Sequence, residues 1–68
     1  MNNWITLHDS GVEYYVNVNN IRYIAQAYFD NVPCSRIAMV GGEIVVDEDI
    51  ETIKRMIQNN AQFNYLNK

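Results

Sequence analysis

The chain lacks the covalent and metal-based supports on which most proteins of its size depend. Its 68 residues include one cysteine, Cys34, and one histidine, His8. A single cysteine excludes an internal disulfide, and these two residues are too few ligands for a zinc site within one chain. Domains this short are marginally stable without such aids. Because the apolar fraction is high, at 49%, we expect the chain to associate as a homo-oligomer.

Long apolar runs and clusters of positive charge are also missing. No segment is long enough to cross a bilayer as a helix, and the first residues lack the parts of a signal peptide. An unpaired cysteine suits a reducing compartment, so we expect a cytoplasmic protein without membrane insertion. The chain carries five basic and eight acidic residues, a net charge of −3. Since nucleic-acid binding depends on neutralising phosphates, we do not expect DNA or RNA as a partner.

What the sequence does contain is a series of short β patterns. Aromatic, β-branched and alternating apolar residues predict strands, the first three as a meander and the last two as a hairpin, at 4–8, 12–18, 22–28, 35–40 and 43–47. The pair Gly41-Gly42 suits the hairpin turn. A helical turn is predicted at 19–21, and a loop at 30–33, where Pro33 cannot donate to a strand ladder.

A helix is predicted to begin at Ile50. Asp49 is placed to cap it, because an aspartate side chain can accept a free amide of the first turn. Ile50, Ile53 and Ile57 recur at helical spacing and give an apolar stripe that can pack on the sheet. The tail at residues 61–68 either extends this helix or is mobile.

Together these elements predict one α+β domain over residues 1–68, with an ordered core at about 4–60. It is a small antiparallel β-sheet of four to five strands with one C-terminal α-helix packed on it. The core is expected to contain Ile5 or Leu7, with Val16, Val18, Ile21, Ile24, Ile37, Val45, Ile50, Ile53 and Ile57.

Residues suited to catalysis or ligand binding are not grouped in the sequence. His8 and Asp9 are adjacent in a strand pattern and point to opposite faces, so a histidine in a turn is the simpler interpretation. Cys34 has only Arg36 as a basic neighbour and is predicted to be an unreactive thiol in a loop. We therefore expect no catalytic, cofactor-binding or metal-binding residues, and a protein that is not an enzyme.

An acidic patch precedes and enters the predicted helix, formed by Asp47, Glu48, Asp49 and Glu51. Carboxylates complement the positive end of a helix dipole, which explains the patch without a ligand. Its spacing also differs from that of a calcium loop. The alternative is that this patch occupies a basic surface of a host protein, as a phage- or prophage-encoded inhibitor would.

The aromatic residues exceed what so small a core can hold. Tyrosine is amphipathic and is enriched at protein interfaces. We predict that another protein, or a second copy of the chain, binds through Tyr15, Tyr23, Tyr28, Phe63 and Tyr65. Tyrosines that are partly exposed on a sheet without any partner are the alternative.

Several short motifs occur in a recognisable order. Residues 7–11 (LHDSG), residues 17–21 (NVNNI) and Ile24 open the chain, residues 33–37 (PCSRI) follow, and residues 43–57 add a valine strand and an acid-capped helix. This order resembles the small flagellar proteins called FlbD or SwrD. The resemblance implies a cytoplasmic role in bacterial flagellar motility and no catalytic residues.

A second resemblance gives a further alternative. The segment at residues 18–24 (VNNIRYI) is similar to part of the sheet of LytTR-type DNA-binding domains, which implies a transcription-linked regulator. The leading hypothesis remains a small, non-catalytic cytoplasmic accessory protein that acts through protein–protein interaction.

Overall fold

The computed structural model describes the backbone of residues 3–66 and the side chains of residues 3–60. In chain order, its elements are β1 (Trp4–Asp9), β2 (Val12–Asn17), a 3-10 turn (Val18–Asn20), β3 (Ile21–Phe29), β4 (Val32–Met39), β5 (Gly42–Val46) and α1 (Ile50–Leu66). The predicted α+β fold, with antiparallel strands and one C-terminal helix, is confirmed.

The five strands divide between two antiparallel sheets. β1 pairs with β2, and the second sheet has the order β3-β4-β5. The prediction that the first three strands form one meander is therefore wrong. Between β2 and β3 the chain makes the 3-10 turn, where the Asn17 side chain accepts the amide of Asn19 at 3.0 Å. This local hydrogen bond gives the backbone an alternative to a tight β2–β3 hairpin.

Each hairpin closes with a two-residue turn that uses left-handed backbone. Ser10 and Gly11 both have positive φ, as do Asp30 and Asn31. Such values suit the primed turns, whose twist matches that of paired strands. In the third hairpin the turn residues are Val40 and Gly41, one position before the predicted Gly41-Gly42 pair.

The predicted loop at 30–33 is shorter in the structure, because β4 begins at Val32. Pro33 lies within this strand, opposite Tyr28 of β3. β5 pairs with β4 only from Ser35 onward, so the other side of the strand lacks a neighbour at Pro33. A missing amide donor costs little at such a position.

The core lies between the two sheets and α1. Its buried apolar members are Ile5, Leu7, Val16, Ile37, Val46 and Ile53. Both Ile5 and Leu7 are buried, although the sequence required only one of them. Other predicted members are partly buried and pack against this cluster, namely Val18, Ile21, Ile24 and Ile57. Ile50 is half-buried.

Val45 is a wrong core prediction. In β5 the neighbouring Val46 is buried, and Ile44 packs against the core, whereas Val45 is exposed. Ile44 lies opposite Ile37 of β4 in the sheet, which places Ile44 and Val46 on the inner face. Since successive side chains in a strand alternate between faces, Val45 must point outward.

The start of α1 follows the prediction. The helix begins at Ile50, and the Asp49 carboxylate accepts the amide of Thr52 at 3.0 Å. This hydrogen bond satisfies one of the free donors of the first turn. Hydrogen bonding from the Thr52 side chain, and then from this amide, lowers the pKa of Asp49. On the apolar stripe, Ile53 is fully buried.

Candidate interaction surface

The side of the β3-β4-β5 sheet that points away from the core forms a surface that we call the outer face. Its members follow from the strand register, because directly paired residues point to the same side. Cross-strand pairs place Tyr23, Ala38 and Glu43 in one row and Ala25, Arg36 and Val45 in the next. Ala27 with Cys34, and Phe29 with Val32, continue the face toward the β3–β4 turn.

Four large apolar side chains are exposed on the outer face. Tyr23, Phe29, Val32 and Val45 each leave between 47% and 72% of their surface open. Between them, the small side chains of Cys34 and Ala38 are buried. The structure therefore corrects the loop position predicted for Cys34, which lies in β4. Phe29, Cys34 and Val45 also line a depression beside Asp47.

The polar groups of the outer face contact one another. Arg36 Nε lies 3.6 Å from Glu43 Oε2, and the Tyr23 hydroxyl donates to the same carboxylate oxygen at 3.2 Å. Glu43 thus links the edge strands across β4. The exposed apolar residues nearest the β3–β4 turn, Phe29 and Val32, lie beyond this polar group along the strands.

Three of the residues predicted to bind a partner, Tyr15, Tyr23 and Tyr28, are exposed but do not share one surface. Tyr23 belongs to the outer face, while Tyr28, an odd number of positions away in β3, points to the opposite side. Tyr15 lies on the other sheet, and its hydroxyl donates to Glu13 at 3.1 Å. This carboxylate raises the pKa of Tyr15. The side chains of Phe63 and Tyr65 lie outside the described residues.

Three residues of the outer face were missed by sequence reasoning. Phe29 and Val32 flank the Asp30-Asn31 turn and are paired across it, and Val45 was assigned to the core. The available signal was the Asp-Asn pair, since both residue types tolerate the left-handed conformation that closes a two-residue turn.

The acidic patch makes contacts within the chain. Asp49 caps α1, and Glu51 Oε2 lies 3.5 Å from Lys54 Nζ. The Asp47 carboxylate accepts the amide of Ser10 at 3.2 Å. Glu48 accepts hydrogen bonds from His8. The patch therefore joins the first helical turn to the β1–β2 hairpin, in addition to complementing the helix dipole.

His8 and Glu48 join β1 to the segment before α1 through two polar contacts. One Glu48 oxygen accepts the His8 amide at 2.9 Å, and the other lies 2.5 Å from His8 Nδ1. This hydrogen bond is the main cause that raises the pKa of His8, and the carboxylate of Glu13, 3.7 Å from Nε2, adds to it. Burial opposes ionisation of Glu48, but the hydrogen bonds from His8 outweigh it and lower the pKa of Glu48.

The backbone around this pair is also connected. The Asp47 amide donates to the His8 carbonyl at 2.6 Å, so the end of β5 lies beside the end of β1. The Ser35 hydroxyl, which is fully buried, donates to the Glu48 carbonyl at 2.8 Å. His8 is thus a strand residue with a carboxylate partner, and not the isolated turn histidine that the sequence suggested.

The described part of the chain forms neither a metal-ligand cluster nor a membrane-spanning helix. Among residues with described side chains, no three His, Cys, Asp or Glu side chains are grouped as metal ligands. Over the same part of the chain, no helix has the length and apolar character that a bilayer crossing requires. Comparison with protein-family models, curated proteins and solved structures found no match.

Proposed function

We propose that this protein is a non-catalytic accessory protein that binds another protein through its outer face. One observation carries the proposal: Tyr23, Phe29, Val32 and Val45 are all exposed on the same face of one sheet. Apolar side chains gathered in a patch, unlike single exposed ones, commonly mark a site of protein association.

The chemistry of the outer face supports an interface. Phe29 offers a large apolar anchor held by a strand, so that little conformational freedom is lost on binding. Arg36 and Glu43 neutralise one another beside the apolar residues. A partner that fits this face therefore carries an apolar cluster with polar groups at one side.

The proposed setting is the cytoplasm, in line with the unpaired cysteine. The resemblance to FlbD or SwrD favours flagellar motility as the process that this protein serves. Flagellar genes beside its own gene would support that setting, and phage genes in that place would count against it.

A pull-down with the full chain tests the proposed interface. We expect the double substitution Phe29→Ser with Val45→Ser to reduce recovery of the partner at least tenfold, because truncating a central anchor costs about 2 kcal/mol or more. The matched control is Val12→Ser with Val40→Ser, which removes two exposed valines outside the outer face.

The same assay separates the outer face from the tyrosines predicted from the sequence. Tyr15→Ser with Tyr28→Ser changes two exposed residues that lie off this face. Recovery that falls with this pair and persists with Phe29→Ser and Val45→Ser would contradict the proposal and assign binding to the tyrosines.

A further inference from the structure

Strand β3 has an unpaired edge. It spans nine residues, Ile21–Phe29, and within the described chain its one paired neighbour is β4. An edge strand presents a row of amide and carbonyl groups that can pair with another strand. The ligand that suits this edge is therefore another extended strand, which can form backbone hydrogen bonds with β3.

The proline, charge and bulge that commonly protect an edge strand are missing from most of β3. Between Tyr23 and Phe29 there is no proline and no charged residue, and the register irregularity lies at the start, between Ile21 and Tyr23. The other edges differ. β5 ends against β1 through the Asp47–His8 hydrogen bond, and β2 is shorter and carries Glu13.

The sequence of β3 is complementary to itself in the antiparallel direction. In a register centred on Ala25, Tyr23 of one copy lies opposite Ala27 of the other, so that each large ring faces a small side chain. Arg22, the one charged residue of the strand, precedes the run from Tyr23 to Ala27 that forms this pairing, so no charge faces another charge within it.

We infer that the edge of β3 binds the same edge of a second copy, giving a two-fold dimer with a continuous six-stranded sheet. Pairing of like edges is isologous and closes at two chains. It also pairs the row of amide and carbonyl groups that the β3 edge leaves without a strand neighbour in the single chain. This inference does not depend on the proposed partner, since the second copy occupies the edge and leaves the outer face open.

The mass of the purified full chain in solution tests the dimer. We expect twice the 7.9 kDa of one chain for the natural sequence and a single-chain mass for Ala25→Glu. Position 25 lies on the proposed two-fold axis, so the introduced carboxylates face each other across the dimer. In the single chain the same group lies opposite Arg36, a favourable pairing that keeps the variant folded.

The matched control is Val45→Glu. It places the same carboxylate opposite the same Arg36, but on β5, away from the β3 edge. We expect this variant to remain a dimer. A single-chain mass for the natural sequence at about 100 μM, or a folded Ala25→Glu chain that stays dimeric, would overturn the inference.

A crosslinking variant keeps the inference testable if Ala25→Glu does not fold. Opposed residues of antiparallel strands have Cα atoms about 4.5–5.5 Å apart, within disulfide range. In a Cys34→Ser background, we expect Ala25→Cys to form a disulfide-linked dimer under mild oxidation and Val45→Cys to form no covalent link between the two chains. Equal crosslinking of the two variants would contradict the β3 register.

Because the dimer is measured on purified protein, its outcome is separate from that of the partner assay. Val45→Glu, which changes the outer face, is expected to reduce partner recovery while it preserves the two-chain mass. A loss of both properties in this variant would show that the dimer also uses the outer face, which contradicts the β3-edge inference.

Discussion

At the scale of single residues, Glu48 connects distant parts of the fold through its side chain and its backbone. Its two carboxylate oxygens accept the amide and the ring of His8, and its carbonyl accepts the buried Ser35 hydroxyl. One residue thus connects β1, β4 and the segment before α1. The pKa changes of the His8–Glu48 pair mean that this connection depends on pH.

The stabilising contributions of His8 and Glu48 change with pH in opposite directions. The pKa of His8 is raised in the folded chain, so its stabilisation is complete below the ordinary value of 6.5 and is lost as pH rises through the folded-state pKa. The pKa of Glu48 is lowered, so its contribution is complete above the ordinary value of 4.5 and is lost as pH falls through the folded-state pKa. The pair stabilises the fold most between these ordinary values.

We therefore predict that the midpoint of urea unfolding falls as pH rises from about 5.5 to about 8. Glu48→Gln should flatten this decline. Part of the decline should remain, because Glu13 and Asp47 also raise the pKa of His8. Glu51→Gln is the matched control, since Glu51 pairs with Lys54. A Glu48→Gln chain with the full natural pH dependence would contradict the pair's role.

At the scale of elements, α1 is held on the sheets by one face. Ile53 is fully buried in the core cluster, and Met56 and Ile57 pack against that cluster from the next turn. The remaining side chains of the described part of the helix include charged residues on its exposed side, among them Lys54 and Arg55. Packing of this apolar stripe, more than intrinsic helix propensity, fixes α1 in place.

We predict that Ile53→Ala destabilises the protein by about 2–5 kcal/mol, the usual cost of truncating a fully buried aliphatic side chain. In so small a domain this loss is a large part of the total stability. Urea unfolding followed by circular dichroism measures it. Gln58→Ala, an exposed change on the same helix, should have a small effect. Equal midpoints for the two variants would show that α1 does not depend on Ile53.

Elements were predicted from the sequence better than the contacts between them. The strands, the helix start at Ile50 and the Asp49 cap follow from local patterns, because alternation and capping involve neighbours in the chain. The assignment of Val45 to the core failed because Ile44, Val45 and Val46 are apolar in a row, and the sequence alone does not show which of them point inward. The pairing of Ile44 with Ile37 in the sheet decides this.

The candidate site was less predictable for the same reason. Tyr23 was identified by its residue type, but the grouping of Phe29, Val32 and Val45 requires knowledge of which strands pair. His8 and Glu48 are separated by 40 positions, and their contact depends on β5 ending beside β1. A single sequence gives no local signal for such a contact.

At the scale of the whole molecule, basic side chains are few and partly paired with acids. Of the basic side chains in the described residues, Arg36 pairs with Glu43 and Lys54 with Glu51. The chain as a whole carries a net charge of −3. No extended basic surface is formed by the part of the chain whose side chains the structure describes.

We predict that the full chain does not bind duplex DNA even at low salt, because few free cations are available to replace condensed counterions. Fluorescence anisotropy of a labelled duplex at about 20 mM salt measures this. Binding that strengthens as salt is lowered would contradict the prediction and favour the transcription-linked alternative. Arg22→Gln would then show whether the exposed arginine of β3 contributes.

The two-residue turns have a consequence for how the chain assembles. All three hairpins, closed at Ser10-Gly11, Asp30-Asn31 and Val40-Gly41, form by joining residues that are near neighbours along the chain. Short loops cost little entropy to close, so each hairpin is a kinetically accessible local unit. Docking the β1–β2 hairpin onto the rest of the chain joins distant residues, with 40 positions between His8 and Glu48 and 56 between Trp4 and Asn60. This step is therefore the natural bottleneck of folding.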